Sequence, residues 1–586
     1  MSTFQLRRFR WAVALLLWHL GASLGTLAQP PGLQPVLLNP FVPFTSCRLR
    51  VVVPAGGGDF YIAGEFRNSL TLGTTPLHSL GEADMFVAKY SAQTGTFAWV
   101  EQFGGRAEEI VTGLVSRNNN LFVTGYFVSD TLRLGSQLLL NPPYNMYTTT
   151  DGFVLKLSDT GSRGQVVWAQ QIGGPNDDRV DAVAVAGNRV YVGGCFTSAS
   201  LGAGSLRLAN SVQLPFFSAT ADGFVAALAD AGPTVQPAWL HAVTGNGTEQ
   251  VSSLAVSNAG LYVGGNRDNM SNGNSQFVNL PLAPSNWYNG FVGKLTDNGS
   301  TATGVWVEQL HDGGPAYRTK VAAHQSTVYV AGGFEENLVI GSDILATAGD
   351  HDVYVGRLDD AGPTATWAWG RQLGGDYYDV NHALTCDNQG VYCAGEFYGV
   401  LLHAGTTVLY NVRSPNGYPS GTDAYVSQLS ATGDFLTTHH ITGEGNATPV
   451  ATAVADGQLY VAGTFSREVR FGTQSFVAAQ ENNIGFVATV PLLPLATRAA
   501  TSRPGLALFP NPATGHTTLH LPANPTATPF AITFTDALGR VVQRREVTVA
   551  GAGQSIVLDL AALVPGVYAV RVQQGAAQAV QRLVVE

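Results

Sequence analysis

Charge is scarce in this chain of 586 residues, with Asp, Glu, Lys and Arg together making up 12% where a quarter is usual. Lysine is rarer still, confined to Lys89, Lys156, Lys294 and Lys320. A surface that follows a nucleic-acid backbone or an anionic bilayer needs clustered cations, so both kinds of partner are excluded. The net charge of −10 points the same way, and three N-terminal arginines with a near-neutral C-terminal segment leave −14 on residues 29–503. The four cysteines, Cys47, Cys195, Cys386 and Cys393, are too few for a disulfide scaffold in a chain of this length. Cys386 and Cys393 fall on adjacent hairpin strands around residues 387–390. A disulfide and two buried thiols replacing valines both fit that placement. Long apolar runs are also lacking. The longest run, residues 11–20 with His19 as its one polar residue, is half of the ~20 residues that a spanning helix needs. It follows Arg7, Arg8 and Arg10 and precedes the small residues Thr26 and Ala28, which reads as a secretory signal peptide over residues 1–28. An N-terminal membrane anchor is the alternative.

Present in quantity are 68 glycines and a hydrophobic fraction of 45%, the makings of a turn-dense β protein with a large core. The apolar segments repeat between residues 47 and 490. A strand ending in Gly-x-Phe closes at Phe66, Phe127, Phe196, Phe334, Phe397 and Phe465, with Asn266 at that place in the fourth copy. An Asp-x-aromatic-Val strand begins at Asp84, Asp151, Asp222, Asp352 and Asp423, with Asn289 in the fourth copy and a degenerate Phe486-Val487 in the seventh. A tryptophan strand follows at Trp99, Trp168, Trp239, Trp306 and Trp369, weakened to Thr437 in the sixth copy. Four antiparallel strands repeated seven times predict a seven-bladed β-propeller over residues 29–490. A solenoid or a pair of stacked sandwiches is the structural alternative. The seventh unit lacks its fourth strand, so a closed ring requires LQPVLLNPF (33–41) as the donor.

The whole unit, from DGFVLKL through WAQQIGGPNDD to AVAVAGNRVYVGG, resembles the SBBP-type repeat of exported bacterial proteins. That resemblance implies shape and little chemistry.

After a linker at residues 491–503 the pattern changes. Residues 504–586 alternate strands with turns at Pro510-Asn511-Pro512, Leu538-Gly539 and Pro565-Gly566, as in a small β-sandwich. The fold class expected for the chain is therefore all-β, a propeller followed by this sandwich. The segment resembles the type A C-terminal sorting domain of the type IX (Por) secretion system of Bacteroidetes. The likeness lies in Pro510, Asn511 and Pro512, in the Asp536, Gly539 and Arg540 turn, in Gly566 and Tyr568, and in the terminal strand. It implies general export across the inner membrane, passage through the outer membrane with the type IX machinery as partner, and a secreted or cell-surface location. In the family the sorting domain is usually removed.

Chemistry is harder to read. No phosphate cradle, His-Glu-x-x-His or Gly-x-Ser-x-Gly motif occurs. His439 and His440 point to opposite faces of a strand, and His311-Asp312 and His351-Asp352 read as solvated turns. GGPNDDRVD (173–181) and GGDYYDVNH (374–382) could hold calcium, yet the copies GGRAEEIV and GGPAYRTK vary the acids freely, so no cofactor is expected. Turns such as SDTGSRGQVVW (158–168) resemble the Asp-box turns of sialidase-type propellers, a structural device. An arginine cluster beside a tyrosine nucleophile cannot be picked out. The expectation is a non-enzymatic binding or adhesion module for an extracellular glycan or protein. A hydrolytic propeller and a structural surface-layer component are the alternatives. The long connections into the Asp-x-aromatic strands carry Tyr144, Tyr147, Phe216, Phe217, Trp287, Tyr288, Tyr410 and Tyr418. These are expected on one face, stacking on ligand rings; packing of their own loops is the alternative.

Overall fold

The computed structural model describes residues 33–38, 46–142, 148–211, 220–268, 275–284, 288–310, 315–411, 421–478, 483–492, 507–521, 529–535, 541–548, 554–574 and 577–586. Residues 1–28, read as a signal peptide, and residues 493–503 of the segment read as a linker lie outside them. Among the described residues every regular element longer than a turn is a strand, and contacts divide the chain into units at 1–492 and 493–586.

Among the described residues the first unit contains seven sheets of four or more strands, numbered in the order of their first strands, and three separate two-stranded hairpins. Those first strands are Ser46–Gly56, Glu109–Arg117, Asp178–Ala186, Thr248–Ser257, Ala316–His324, Asp379–Cys386 and Ala447–Ala455. Each lies against the first strand of the next sheet, and the seventh lies against the first, so they ring a common axis. This is a β-propeller. Sheet 7 is completed by Gln34–Leu38, which pairs antiparallel with Ile484–Pro491, matching Gln34 to Thr489 and Leu38 to Phe486.

Strand chemistry follows the repeated motifs. Phe66, Phe127, Phe196, Phe334, Phe397 and Phe465 are buried between sheets. The fourth copy corrects the sequence reading, because Arg267, not Asn266, holds the phenylalanine place. Arg267 pairs with Asn289 as Phe66 pairs with Asp84.

The tryptophan strand acts between sheets. Tyr61, Lys89 and Trp99 of sheet 1 all donate to Asp159 of sheet 2, at 2.7, 2.8 and 2.9 Å. Lys156 and Trp168 reach Asp230 in the same way. Tyr191 and Trp239 reach Asp297, and Tyr262, Lys294 and Trp306 reach Asp360. Each acceptor also caps its own turn, as Asp159 does by accepting from the Gly161 N–H at 2.8 Å. The Asp-box-like turns are thus half of an inter-sheet latch, and three of the four lysines are spent on it.

The described parts of the long connections form hairpins. In sheets 2, 3, 5 and 6 a hairpin from the following repeat adds to the tryptophan strand's edge, or to its counterpart in sheet 6, as Ala203 pairs with Ile172 and Ala404 with Leu373. Cys386 and Cys393 are not joined in a disulfide, with Cys386 opposite Val391 and Cys393 opposite Leu384. Burial pushes both thiols up to about 12.

The second unit has one sheet of Ala507–Phe509, His516–Leu521 and Gln554–Asp559. The other contains Phe530–Thr535, Val541–Val547, Gly566–Gln574 and Ala577–Val585. Leu519, Phe530, Ile532, Leu558, Val570 and Leu583 fill the space between them.

Candidate functional site

The first strand of every sheet carries a β-bulge, a place where one residue is left out of the ladder and its side chain is re-aimed. The register skips Arg50, Thr112, Asp181, Ser252, His382 and Val450 in sheets 1, 2, 3, 4, 6 and 7. In sheet 5 the irregularity is wider and takes in Arg318 and Thr319. The bulges rest on the repeated glycine of the second strand. A Cβ at Gly64 would be driven into the Arg48 carbonyl, and one at Gly194 into the Arg179 carbonyl.

Arg50, Thr112, Asp181, Ser252, Arg318, His382 and Val450 all line one central cavity of about 740 Å³. Arg50, Thr112, Asp181, Ser252, His382 and Val450 also line a second cavity of about 270 Å³. The two share this layer, which makes them the wide and narrow parts of one axial channel.

The wide part is cationic in an acidic protein. Arg50, Arg179, Arg318 and Lys320 line it, against Asp181 as its carboxylate. Arg50 is held in a bidentate pair with Glu65, the shortest contact being 2.6 Å. Arg179 lies 4.7 Å from the centre of the Tyr126 ring. Asp181 accepts from Gln250 at 2.8 Å, and burial pushes its carboxyl up against the opposing pull of Gln250, Arg179 and Lys320. Lys320 donates to the Ser252 carbonyl at 3.2 Å. Burial lowers its ammonium, assisted by Arg318 and opposed by Asp181.

One wall is aromatic. Tyr288 stacks on Tyr317 with centroids 5.4 Å apart, and His351 follows at 5.6 Å from Tyr317 and 4.3 Å from Tyr378. Glu335 organises this wall, accepting from the Tyr317 hydroxyl at 2.5 Å and lying 2.5 Å from His351 Nε2. His382 is fixed by Glu396 at 3.0 Å, which also accepts from Thr422 and Thr448. Asn381 lines the same space at 1% exposure with neither amide atom hydrogen-bonded.

Of the aromatics expected to bind, Tyr288 belongs to this wall. Tyr410 does not, since it stands 65% exposed on the hairpin at the edge of sheet 5. Tyr144, Tyr147, Trp287 and Tyr418 lie outside the described residues. His351-Asp352 is no solvated turn, because His351 is packed between two tyrosines and Asp352 is fully buried; His311-Asp312 is outside the described residues. His440 faces Asp423 at 2.7 Å. The acids of the glycine turns are directed at neighbouring groups. The Asp178 carboxylate accepts from the Ser198 hydroxyl at 2.6 Å, Glu109 from the Gly105 N–H at 2.8 Å, and Asp379 from the Gly375 N–H at 2.7 Å. Among the described residues no three His, Cys, Asp or Glu side chains stand where they could hold a metal ion. The arginines of the channel form no cluster in the sequence, where Arg50 and Arg318 share only the bulge position of the repeat.

In the second unit the Pro510-Asn511-Pro512 turn grips the terminal strand. The Asn511 side-chain oxygen accepts from the Val584 N–H at 2.9 Å, and the Ala513 N–H donates to the Val584 carbonyl at 2.9 Å. Thr517 donates to the Pro510 carbonyl at 2.8 Å. The buried Tyr568 donates to the Val564 carbonyl at 2.6 Å, fixing the turn that contains Gly566. Asp536, Gly539 and Arg540 lie outside the described residues.

No curated protein matches the chain. Among solved structures, a Trypanosoma rangeli sialidase mutant with trans-sialidase activity is similar at 10% identity and a TM-score of 0.32, covering 82% of this chain and 84% of its own. The T. rangeli sialidase–sialic acid complex is similar at 9% identity and 0.31, covering 91% and 89%. Synechocystis apocarotenoid oxygenase follows at 8% and 0.30, covering 70% and 91%. No activity is read from likenesses of this size. Residues 507–586 match the family described as "Secretion system C-terminal sorting domain". The C-terminal unit is therefore a type IX sorting domain, and this is a protein secreted to the cell surface.

Proposed function

We propose that the protein is an extracellular binding module, a seven-bladed SBBP-type propeller that takes its ligand in the wide part of the axial channel. A signal peptide at residues 1–28 and the sorting domain would deliver it, with the linker at 491–503 joining the two. The observation that carries this reading is the convergence of bulge residues from all seven sheets on one cavity of about 740 Å³, the size range of small-molecule and sugar sites. The orphan amide of Asn381 supports it, because a buried polar group without a partner is costly unless something completes it.

A hydrolytic propeller is the second reading, favoured by the Tyr317–Glu335 pair beside the cations. Against it, glycoside hydrolysis usually needs two carboxylates flanking the scissile bond, and Asp181 is the carboxylate lining the cavity. Burial and the Glu335 hydrogen bond both raise the Tyr317 hydroxyl, opposite to what an activated phenolate requires.

The test is a glycan array probed with the secreted protein and with Asn381→Leu. Binding that Asn381→Leu weakens is expected. Sugar release from the array would favour the hydrolase. A silent array alongside high surface abundance would favour a structural component instead.

A further inference from the structure

We propose that the channel's ligand is an acidic saccharide, its carboxylate held between Arg318, Lys320 and Arg179 and its ring laid along the Tyr288–Tyr317 wall. This deepens the preceding reading and rests on the channel being the ligand site.

Charge availability comes first. Arg50 is neutralised by Glu65 in a bidentate pair. Arg179 is engaged through its π-face contact with Tyr126, which leaves guanidinium donors to spare. Lys320 makes one hydrogen bond, to a neutral carbonyl. Asp181 offsets one of these cations, so the unsatisfied charge in the channel is positive, within a chain of net charge −10. An anion gains from such a well because the surrounding acidic surface leaves the channel as the place where it is attracted. Lys320 adds to this, since burial disfavours the charge of its ammonium, a cost that a bound anion would relieve.

Arg318 adds a geometric argument. It sits in the widened bulge of sheet 5 with φ of 51°, a left-handed conformation uncommon outside glycine and asparagine. A side chain carried on a strained bulge over a cavity fits an aimed group better than an incidental one.

The ligand's body is the second half. A sugar presents hydroxyls together with a face of C–H groups. The face stacks on aromatic rings, and Tyr288, Tyr317 and Tyr378 supply them. The hydroxyls need partners of both kinds. Asn381, with its acceptor and donors all unsatisfied, offers them. An acidic peptide would use the cations but has less call on the stacked wall and the amide.

The experiment is calorimetric titration of the full secreted chain with oligogalacturonate, a neutral dextran oligosaccharide and polyglutamate. The variants are Lys320→Met, Arg318→Asn (which keeps a residue tolerant of the left-handed backbone) and Arg133→Ala, an exposed arginine on an outer hairpin. The expected result is saturable uronate binding, weakened roughly tenfold by Lys320→Met and by Arg318→Asn, unchanged by Arg133→Ala and falling with salt. Absent uronate binding, or uronate binding indifferent to both channel variants, overturns the proposal. Preference for dextran, weakened by Asn381→Leu, overturns the acidic ligand while leaving the channel as a binding site. Preference for polyglutamate overturns the saccharide.

Discussion

The Lys156 ammonium of sheet 2 lies 2.9 and 2.7 Å from the two carboxylate oxygens of Asp230 in sheet 3. Trp168 donates to the same carboxylate at 3.0 Å. With the side chains of Lys156 and Asp230 only 5% and 13% exposed, this is a buried charge pair bridging neighbouring sheets. Sheet 5 shows what happens without the acid, for there Trp369 and Arg357 both donate to the Ala431 carbonyl instead.

Removing one partner of such a pair strands the other. Asp230→Ala is expected to destabilise the propeller by about 3–5 kcal/mol in denaturant unfolding. Asp359→Asn, which breaks a surface pair with Arg357, should cost under ~1 kcal/mol. Equal effects would show that the latch is an ordinary surface contact.

Stability should fall as pH rises from mildly acidic values. Burial pushes Asp379, Glu109 and Glu249 up to about 8, Asp178 up to about 7 and Asp151 up to about 6. Carboxyls raised in the folded state favour folding fully below their unfolded values near ~4 and lose that contribution as pH rises through the folded ones. The melting temperature is therefore expected to drop between pH 5 and pH 8.5, and Asp379→Asn should flatten the slope. Asp159 and Asp360 act in the other direction. Burial raises them, but their lysine and tyrosine donors outweigh it and hold both carboxyls below the usual range. Their contribution is lost as pH falls below ~4, which places the maximum between roughly pH 4 and 6.

Ring closure gives a third expectation. Deleting residues 30–45 removes Gln34–Leu38 and exposes the edge of Ile484–Pro491. A clear fall in melting temperature is expected in a thermal scan. An unchanged curve would mean that the N-terminal strand does not close the ring.

A fourth concerns delivery. Asn511→Ala deletes the acceptor of the Val584 N–H, a change of ~1 kcal/mol for a bond of this kind, and loosens the grip on the terminal strand. Fractionation should show less of the protein at the cell surface than for a Val541→Thr control on an exposed position. Equal surface amounts would separate this contact from sorting.

The repeats were legible because each demands a residue type. The glycine of the second strand must lack a Cβ, the phenylalanine must fill the inter-sheet space, and both recur in the sequence. The fourth copy slipped by one residue because Arg267 stands where the repeat has phenylalanine, so no aromatic marked the register. The channel stayed hidden for a different reason. Its residues are chemically unlike, from Arg50 through Thr112 to Val450, since a bulge fixes a position and leaves its chemistry free. A positional signal was present. The bulge residue stands thirteen or fourteen places before the repeated glycine, as Arg50 does before Gly64 and Asp181 before Gly194. Counting back from each glycine would have gathered Arg50, Asp181, Arg318 and His382. Aromatic content led to Tyr288, which lines the channel, and to Tyr410, which stands exposed on a hairpin at the edge of sheet 5.

The most direct measurement is a crystal structure of the secreted protein soaked with galacturonate oligosaccharide. Density is expected in the wide part of the channel, with a carboxylate in contact with Arg318 and Lys320 and a sugar ring against Tyr288 or Tyr317. Density only on the outer hairpins around Tyr410, with the channel holding solvent alone, would contradict that placement.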